Sequence, residues 1–132
     1  MNVVIVGCGR LGAILAGLLD EEKHNVTIVD VSSDSFSRLS RNYCGRAILG
    51  LGIDEDVLRA AGIEQADAFV ALTDGDNTNL MASQIAKHVF GVPIVICQQK
   101  DTGRSEVYAT MGIMTVSPTS IGAEAIREAI RA

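Results

Sequence analysis

The amino-acid sequence predicts an α/β fold: a Rossmann-like, doubly wound parallel sheet of six strands with helices on both faces. Short β-branched runs alternate with longer segments of helical period along the 132 residues, the signature of successive βαβ units. The runs over residues 3–6 and 69–72 are apolar almost throughout, as expected of central strands covered by helices on both sides. The composition agrees, since 48% hydrophobic residues, 20% charged residues and only 2 Pro suit one compact core built without disulfides or metal.

The first strand spans 2–7, where Val3, Val4, Ile5 and Val6 run together, and a helix follows over 10–21. The second strand, 26–30, leads to a helix over 33–42. The third, 46–49, leads to a helix over 54–61, with Gly62 at its C-terminal stop. The fourth strand, 68–72, leads into a helix over 76–90 with an apolar stripe of Leu80, Ile85 and Val89 and with Asp74 or Asp76 as its cap. A fifth strand over 94–97, a short helix near 103–111 and a sixth strand over 114–116 complete the sheet. Ser117-Pro118 opens the last helix, 118–131. In that helix Ile121, Ala125, Ile126, Ala129 and Ile130 form a stripe that either joins the core or faces a neighbouring subunit. With no repeat, low-complexity tract or Pro/Ser-rich linker, residues 1–132 read as a single domain.

The charge balance excludes several classes. With 11 Lys+Arg against 16 Asp+Glu the formal charge is −5, which opposes the attraction to phosphate backbones that drives nucleic-acid binding. The longest uncharged stretch, 107–123, is broken by Thr110, Gly112, Ser117, Pro118 and Ser120, so no membrane-spanning helix is expected. No basic segment precedes the first apolar run, as a signal peptide would require. The cysteines Cys8, Cys44 and Cys97 match neither a disulfide framework nor a Cys-x-x-Cys site. A cytoplasmic, reduced protein is the expectation. His24 and His88 have no partner at metal-ligand spacing.

Gly7, Gly9 and Gly12 form Gly-x-Gly-x-x-Gly where the first strand passes into the first helix. Gly7 permits the tight turn, Gly9 keeps the backbone bare for a pyrophosphate, and Gly12 lets helix and strand pack closely. Behind them the helix N-terminus offers free N–H groups and a positive dipole end. The second strand ends in Asp30, eighteen residues after Gly12, where a carboxylate can accept from both ribose hydroxyls. An acid there favours NAD(H), ADP, ATP or AMP over NADP(H). Arg10 stands where a guanidinium could reach a phosphate or remain solvated. At the end of the fourth strand, Thr73-Asp74-Gly75-Asp76-Asn77-Thr78-Asn79 has the acidic spacing of a calcium loop. Asn79 at the position that requires Gly, and Ile85 at the position that requires Glu, exclude that reading. Thr73 and Asn79 are candidates to face a ligand. Cys8 in the glycine loop reads as a small packing residue rather than a nucleophile.

These residues, Ile5-Val6-Gly7-Cys8-Gly9-Arg10-Leu11-Gly12, then Asp30, then Leu58-Arg59-Ala60-Ala61-Gly62-Ile63 with Ala66-Asp67, then Ala71-Leu72-Thr73 with Asp76 and Asn79, resemble the amino-terminal lobe of the RCK/KTN family. Its members are cytosolic regulators of Trk- and Ktr-type potassium transporters and of some potassium channels. The resemblance implies a nucleotide-binding gating module that works in a homo-oligomeric ring, docked peripherally on a membrane-embedded potassium transporter at the inner face of the membrane. It implies that Gly7, Cys8, Gly9, Arg10, Leu11 and Gly12 surround the phosphates and that Asp30 and Val31 meet the ribose. Gly50, Leu51, Thr73, Asp74, Asn79 and Gln98 would complete the ligand shell. Leu51 departs from a common Asp or Asn, Gln98 from a common Arg, and Asn77 from a common Glu.

Two other readings stand beside it. The chain could be the cofactor-binding half of an NAD-dependent oxidoreductase, although nothing in it supplies a substrate domain. It could equally be an assembly platform whose ligand pocket is vestigial.

Overall fold

A computed structural model describes residues 1–132. Six parallel strands, β1 (Asn2–Val6), β2 (Asn25–Asp30), β3 (Arg46–Leu49), β4 (Ala68–Ala71), β5 (Ile94–Gln98) and β6 (Met114–Val116), form one sheet in the order β3-β2-β1-β4-β5-β6. The order reverses between β1 and β4, the switch point at which doubly wound sheets open a crevice beyond their strand ends. The fold class expected from the sequence is the one observed.

Side chains alternate across the pleat, and that alternation builds two cores. Val3, Ile5, Val26, Ile28 and Val70 face α1 (Arg10–Glu21), which approaches through Ala13 and Ala16. Val4, Val6, Val29 and Phe69 face the other layer, made of α2 (Glu55–Ala60), α3 (Asp76–Gln84) and α4 (Ser105–Thr110). Every residue of β4 is buried, and so is all of β1 after Asn2, which places these two runs at the sheet centre.

Two helices differ from the sequence expectation. Over 33–42 the chain forms only a 3₁₀ segment, Ser33–Arg38. The run is rich in Ser and Asp, whose side chains compete for backbone partners; the Ser37 hydroxyl donates to the Asp34 carbonyl at 2.8 Å. The helix expected over 76–90 is regular to Gln84 and then widens through Ile85–Val89, where the Phe90 N–H reaches back five residues to the Ile85 carbonyl. Val89 faces outward, while Leu80 and Ile85 of the expected stripe pack half-buried against the core beside buried Ala82, Ser83 and Ala86. Neither Asp74 nor Asp76 caps α3, because Gly75 occupies the cap position and no side chain bonds there.

Other boundaries stand. Gly62 ends α2 in the left-handed region at φ +87°, and the Ser117 hydroxyl accepts from the Ser120 N–H to open α5 (Pro118–Arg131). None of the residues of α5 is buried, so its stripe of Ile121, Ile126 and Ile130 belongs to the surface and not to the core. No helix is long and apolar enough to cross a membrane.

Asp76 joins two loops instead of capping. Its carboxylate accepts from the backbone N–H groups of Lys100 at 2.8 Å and Asp101 at 3.0 Å, tying the start of α3 to the segment after β5. The Asp101 and then the Lys100 backbone bonds hold this carboxyl below its ordinary pKa. The charged form therefore favours the folded state. Its contribution is complete above the unfolded pKa of about 3.9 and is lost as pH falls through the lower folded value. Asp76→Asn is expected to lower stability at neutral pH by at most about 1 kcal/mol, since solvent screens this half-exposed site. Urea unfolding at descending pH checks this, with the gap between variant and wild type closing as pH falls below the unfolded value of about 3.9.

Candidate functional site

A cleft of about 440 Å³ opens at the carboxyl ends of β1, β2, β3 and β4. A larger groove of about 700 Å³ lies at the opposite, amino-terminal end of the sheet, lined by Asn2, Asp20, Glu21, Asn25, Arg46 and Gln65 among others. The smaller cleft is the candidate site because the glycine loop and Asp30 both line it, and they supply the chemistry that the larger groove lacks.

The three glycines divide their work as expected. Gly7 sits at φ +108°, and a Cβ there would lie 2.7 Å from the Leu72 carbonyl group and 2.8 Å from the Thr73 nitrogen. A Cβ on Gly12 would lie 1.9 Å from the Gly7 carbonyl oxygen, which is how closely α1 rides on the loop. A Cβ on Gly9 would meet nothing within 4 Å, although the residue lines the cleft. The space over Gly9 is therefore open and not filled by the protein. The first bond of α1 runs from the Ala13 N–H to the Gly9 carbonyl, so the N–H groups of Arg10, Leu11 and Gly12 precede the helical ladder.

Cys8 spends all of its polar groups on the segment after β2. Its N–H donates to Asp30 Oδ2 at 2.7 Å, its carbonyl accepts from Arg38 Nη1 at 3.2 Å, and its thiol donates to the Ser35 carbonyl at 3.4 Å. Burial, and then the Asp30 carboxylate, push the thiol pKa upward, with the Arg38 guanidinium pulling the other way. A buried, protonated thiol is a packing group and a tie, not a nucleophile. The other Asp30 oxygen, Oδ1, accepts from the Ser32 N–H at 2.9 Å. Both oxygens keep lone pairs for further donors, so the carboxylate is oriented without being used up.

Of the residues singled out in the sequence, Gly7, Cys8, Gly9, Asp30, Val31, Gly50, Leu51, Thr73 and Asp74 line the cleft. Arg10, Leu11, Gly12, Asn79 and Gln98 do not. Arg10 and Leu11 lie exposed on the first turn of α1. Asn79 is wholly buried and faces protein, not ligand: its Oδ1 accepts from the Thr73 N–H at 2.9 Å and the Thr73 hydroxyl at 2.6 Å. Its Nδ2 donates to the carbonyls of Thr73 at 2.9 Å and Gln98 at 3.0 Å. Asn79 and Gln98 thus buttress the cleft from behind, and Thr73 lines it in a fixed rotamer.

The sequence reading missed Ser32, Ser35, Arg38, Gly52, Ile53 and Thr78, which also line the cleft. The three-residue spacing of Ser32, Ser35 and Arg38 is a signal that could have found those three, since every third residue stacks on one face of a 3₁₀ turn. Adenine nucleotides fit what is present. The glycine loop leaves open space beside the cleft, the Asp30 carboxylate lines the same cleft with lone pairs to spare, and exposed Val31 and Leu51 offer apolar surface to a base.

Strand order, glycine loop and acid together define a Rossmann-type nucleotide-binding domain. More narrowly, the chain belongs to the TrkA-N domain family, whose model matches residues 3–118. It is 45% identical over 117 residues to the Trk system potassium uptake protein TrkA of Streptomyces coelicolor, covering 89% of this chain and 52% of that protein. The chain therefore spans about half the length of that relative. Two solved structures share the fold. The Kef CTD of Shewanella denitrificans in AMP-bound form superposes with TM-score 0.78 at 22% identity, covering 96% of this chain and 77% of that one. The GsuK channel bound to NAD superposes with TM-score 0.75 at 21% identity, covering 91% and 22%.

Proposed function

We propose that this chain is the nucleotide-sensing lobe of a regulator of Trk-type potassium uptake, with NAD(H) or an adenine nucleotide as its ligand. The observation that carries the reading is the convergence on one cleft of the Gly7–Gly9–Gly12 loop, open above Gly9, and the Asp30 carboxylate held by two backbone donors. The 45% identity to a Trk potassium uptake protein supports the transport role, and the AMP and NAD complexes of proteins of this fold support the ligand class.

Phosphates would lie over Gly9 against the N–H groups at the start of α1, and ribose hydroxyls would donate to Asp30. The ionisable side chains of the cleft are Cys8, Asp30, Arg38 and Asp74, and Cys8 and Arg38 are bonded to backbone. That set suits recognition, with the ligand acting by binding two arrangements of an assembly unequally and not by being transformed. The exposed Ile121, Ile126 and Ile130 of α5 give an apolar face to a second copy within a homo-oligomer. In this reading the lobe sits in the cytoplasm, peripheral to the membrane, in contact with a transporter subunit.

Thermal unfolding with AMP, ADP and NADH tests it. A ligand at about 100 times its Kd stabilises the folded state by about 2.7 kcal/mol. At least one of the three is expected to raise Tm by roughly 8 °C or more in the wild type. The shift should vanish in Asp30→Ala, measured against that variant's own unliganded curve. Flat curves for all three with the wild type would overturn the sensing role and leave an assembly platform.

A further inference from the structure

A 3₁₀ segment has three residues per turn, so side chains at every third position stack in one column. Ser33–Arg38 is such a segment, and Ser32, Ser35 and Arg38 all line the cleft. Arg38 is the only cation among the residues that line it. Its Nη1 holds the Cys8 carbonyl at 3.2 Å, while the Cys8 N–H holds Asp30 at 2.7 Å, so one residue of the glycine loop ties both side chains to the cleft. One donor of five is used, and the rest of the planar fork is free.

An acid at the end of β2 ordinarily repels a phosphate on the adenosine ribose. Here each Asp30 oxygen already accepts a backbone N–H, which partly offsets its charge, and Arg38 is bonded to Cys8, the residue whose N–H holds Asp30. Beyond Asp30 along the chain come two serines and the fork of an arginine. Hydroxyls and a fork are the partners that phosphate oxygens take, and an arginine near this acid is how such folds accommodate a 2′-phosphate. We propose that Ser32, Ser35 and Arg38 form a phosphate subsite on the ribose side of the cleft, with Arg38 as the specificity-determining residue. The lobe then accepts 2′-phosphorylated dinucleotides, NADP(H), beside ligands with a free ribose. This inference rests on the nucleotide-binding reading above.

Isothermal titration calorimetry with NADH and NADPH on wild type, Arg38→Ala and Arg38→Lys tests it. The wild type is expected to bind the two ligands within about tenfold of each other. Arg38→Ala should weaken NADPH about tenfold or more beyond whatever it takes from NADH through the lost tie to Cys8, the loss of one charge-assisted contact. Arg38→Lys, which keeps the charge and loses the fork, should fall between. Unliganded melting curves confirm that each variant is folded; should Arg38→Ala fail there, Arg38→Lys and Ser35→Ala supply the same comparison. NADH binding with NADPH more than about a hundredfold weaker in the wild type would overturn the subsite and leave the sensing role intact. Equal weakening of both ligands in Arg38→Ala would overturn it too, making Arg38 a brace for the loop. Failure of both ligands to bind the wild type would overturn this proposal and the reading beneath it together.

Discussion

Gly12→Ala is expected to destabilise the domain by about 3 kcal/mol or more, and to leave little folded protein if the wild type is of ordinary stability. The added Cβ would lie 1.9 Å from the Gly7 carbonyl oxygen and 3.1 Å from its carbon. Both contacts are with backbone, so no rotamer change relieves them. Either α1 must slide away from the loop, opening its packing through Ala13 and Ala16 against Ile5 and Ile28, or the loop must leave the turn that Gly7 makes at φ +108°. Helix propensity works in the opposite direction, since alanine is about 1 kcal/mol better than glycine inside a helix, and the clash must exceed that gain. The control is Gly9→Ala, where the Cβ meets nothing within 4 Å. That variant should fold like the wild type and lose nucleotide binding, because the new methyl group stands in the space held for the ligand. Thermal denaturation of both variants, with and without AMP, checks the pair.

Asn79→Ala should be the most damaging change at a polar side chain, at about 3 to 4 kcal/mol. The amide makes four bonds, to the Thr73 N–H, hydroxyl and carbonyl and to the Gln98 carbonyl, and the residue is wholly buried. Truncation leaves the Thr73 N–H and carbonyl without these partners, while the Thr73 hydroxyl keeps Gly75 and the Gln98 carbonyl keeps Gln99 Nε2, and each buried, unsatisfied backbone group costs about 1 kcal/mol or more. Asn79→Asp keeps the acceptor but turns the donor into a second acceptor facing two carbonyls, and is expected to be as harmful. The effect should reach the site, because Thr73 lines the cleft and takes its orientation from Asn79. Chemical denaturation gives the stability loss, and nucleotide titration of the residual folded protein gives the loss of affinity.

Much of the site was legible because its chemistry depends on backbone shape. Only glycine tolerates what Gly7 and Gly12 must do, so the sequence had no alternative way to write the loop, and Asp30 follows at the distance set by one helix and one strand. Asn79 was legible as important but misread in purpose. A polar residue one turn into a helix after a strand end looks the same whether it faces ligand or neighbouring loops, and only the position of Gln98 on the adjacent strand decides. Arg10, expected either to reach a phosphate or to remain solvated, is exposed on the first turn of α1 and is not among the residues that line the cleft, whose cation comes from residue 38.

Local rules thus determined the strand and helix order, the two central strands, the glycine turn, the stop at Gly62 and the cap at Ser117, since each follows from backbone sterics, side-chain period or apolar content within a few residues. The tertiary structure alone decided which residues meet across the cleft. Whether residues 33–42 wind at 3.6 or at 3 per turn changes which of them share a face. The local Ser-rich run disfavours the wider winding, and the contacts by which Cys8 holds Ser35 and Arg38, twenty-five or more positions along the chain, fix where the resulting face points. The outward face of α5 is of the same kind: its stripe carries the pattern of a core helix, and only the absence of a sheet beneath it leaves it exposed.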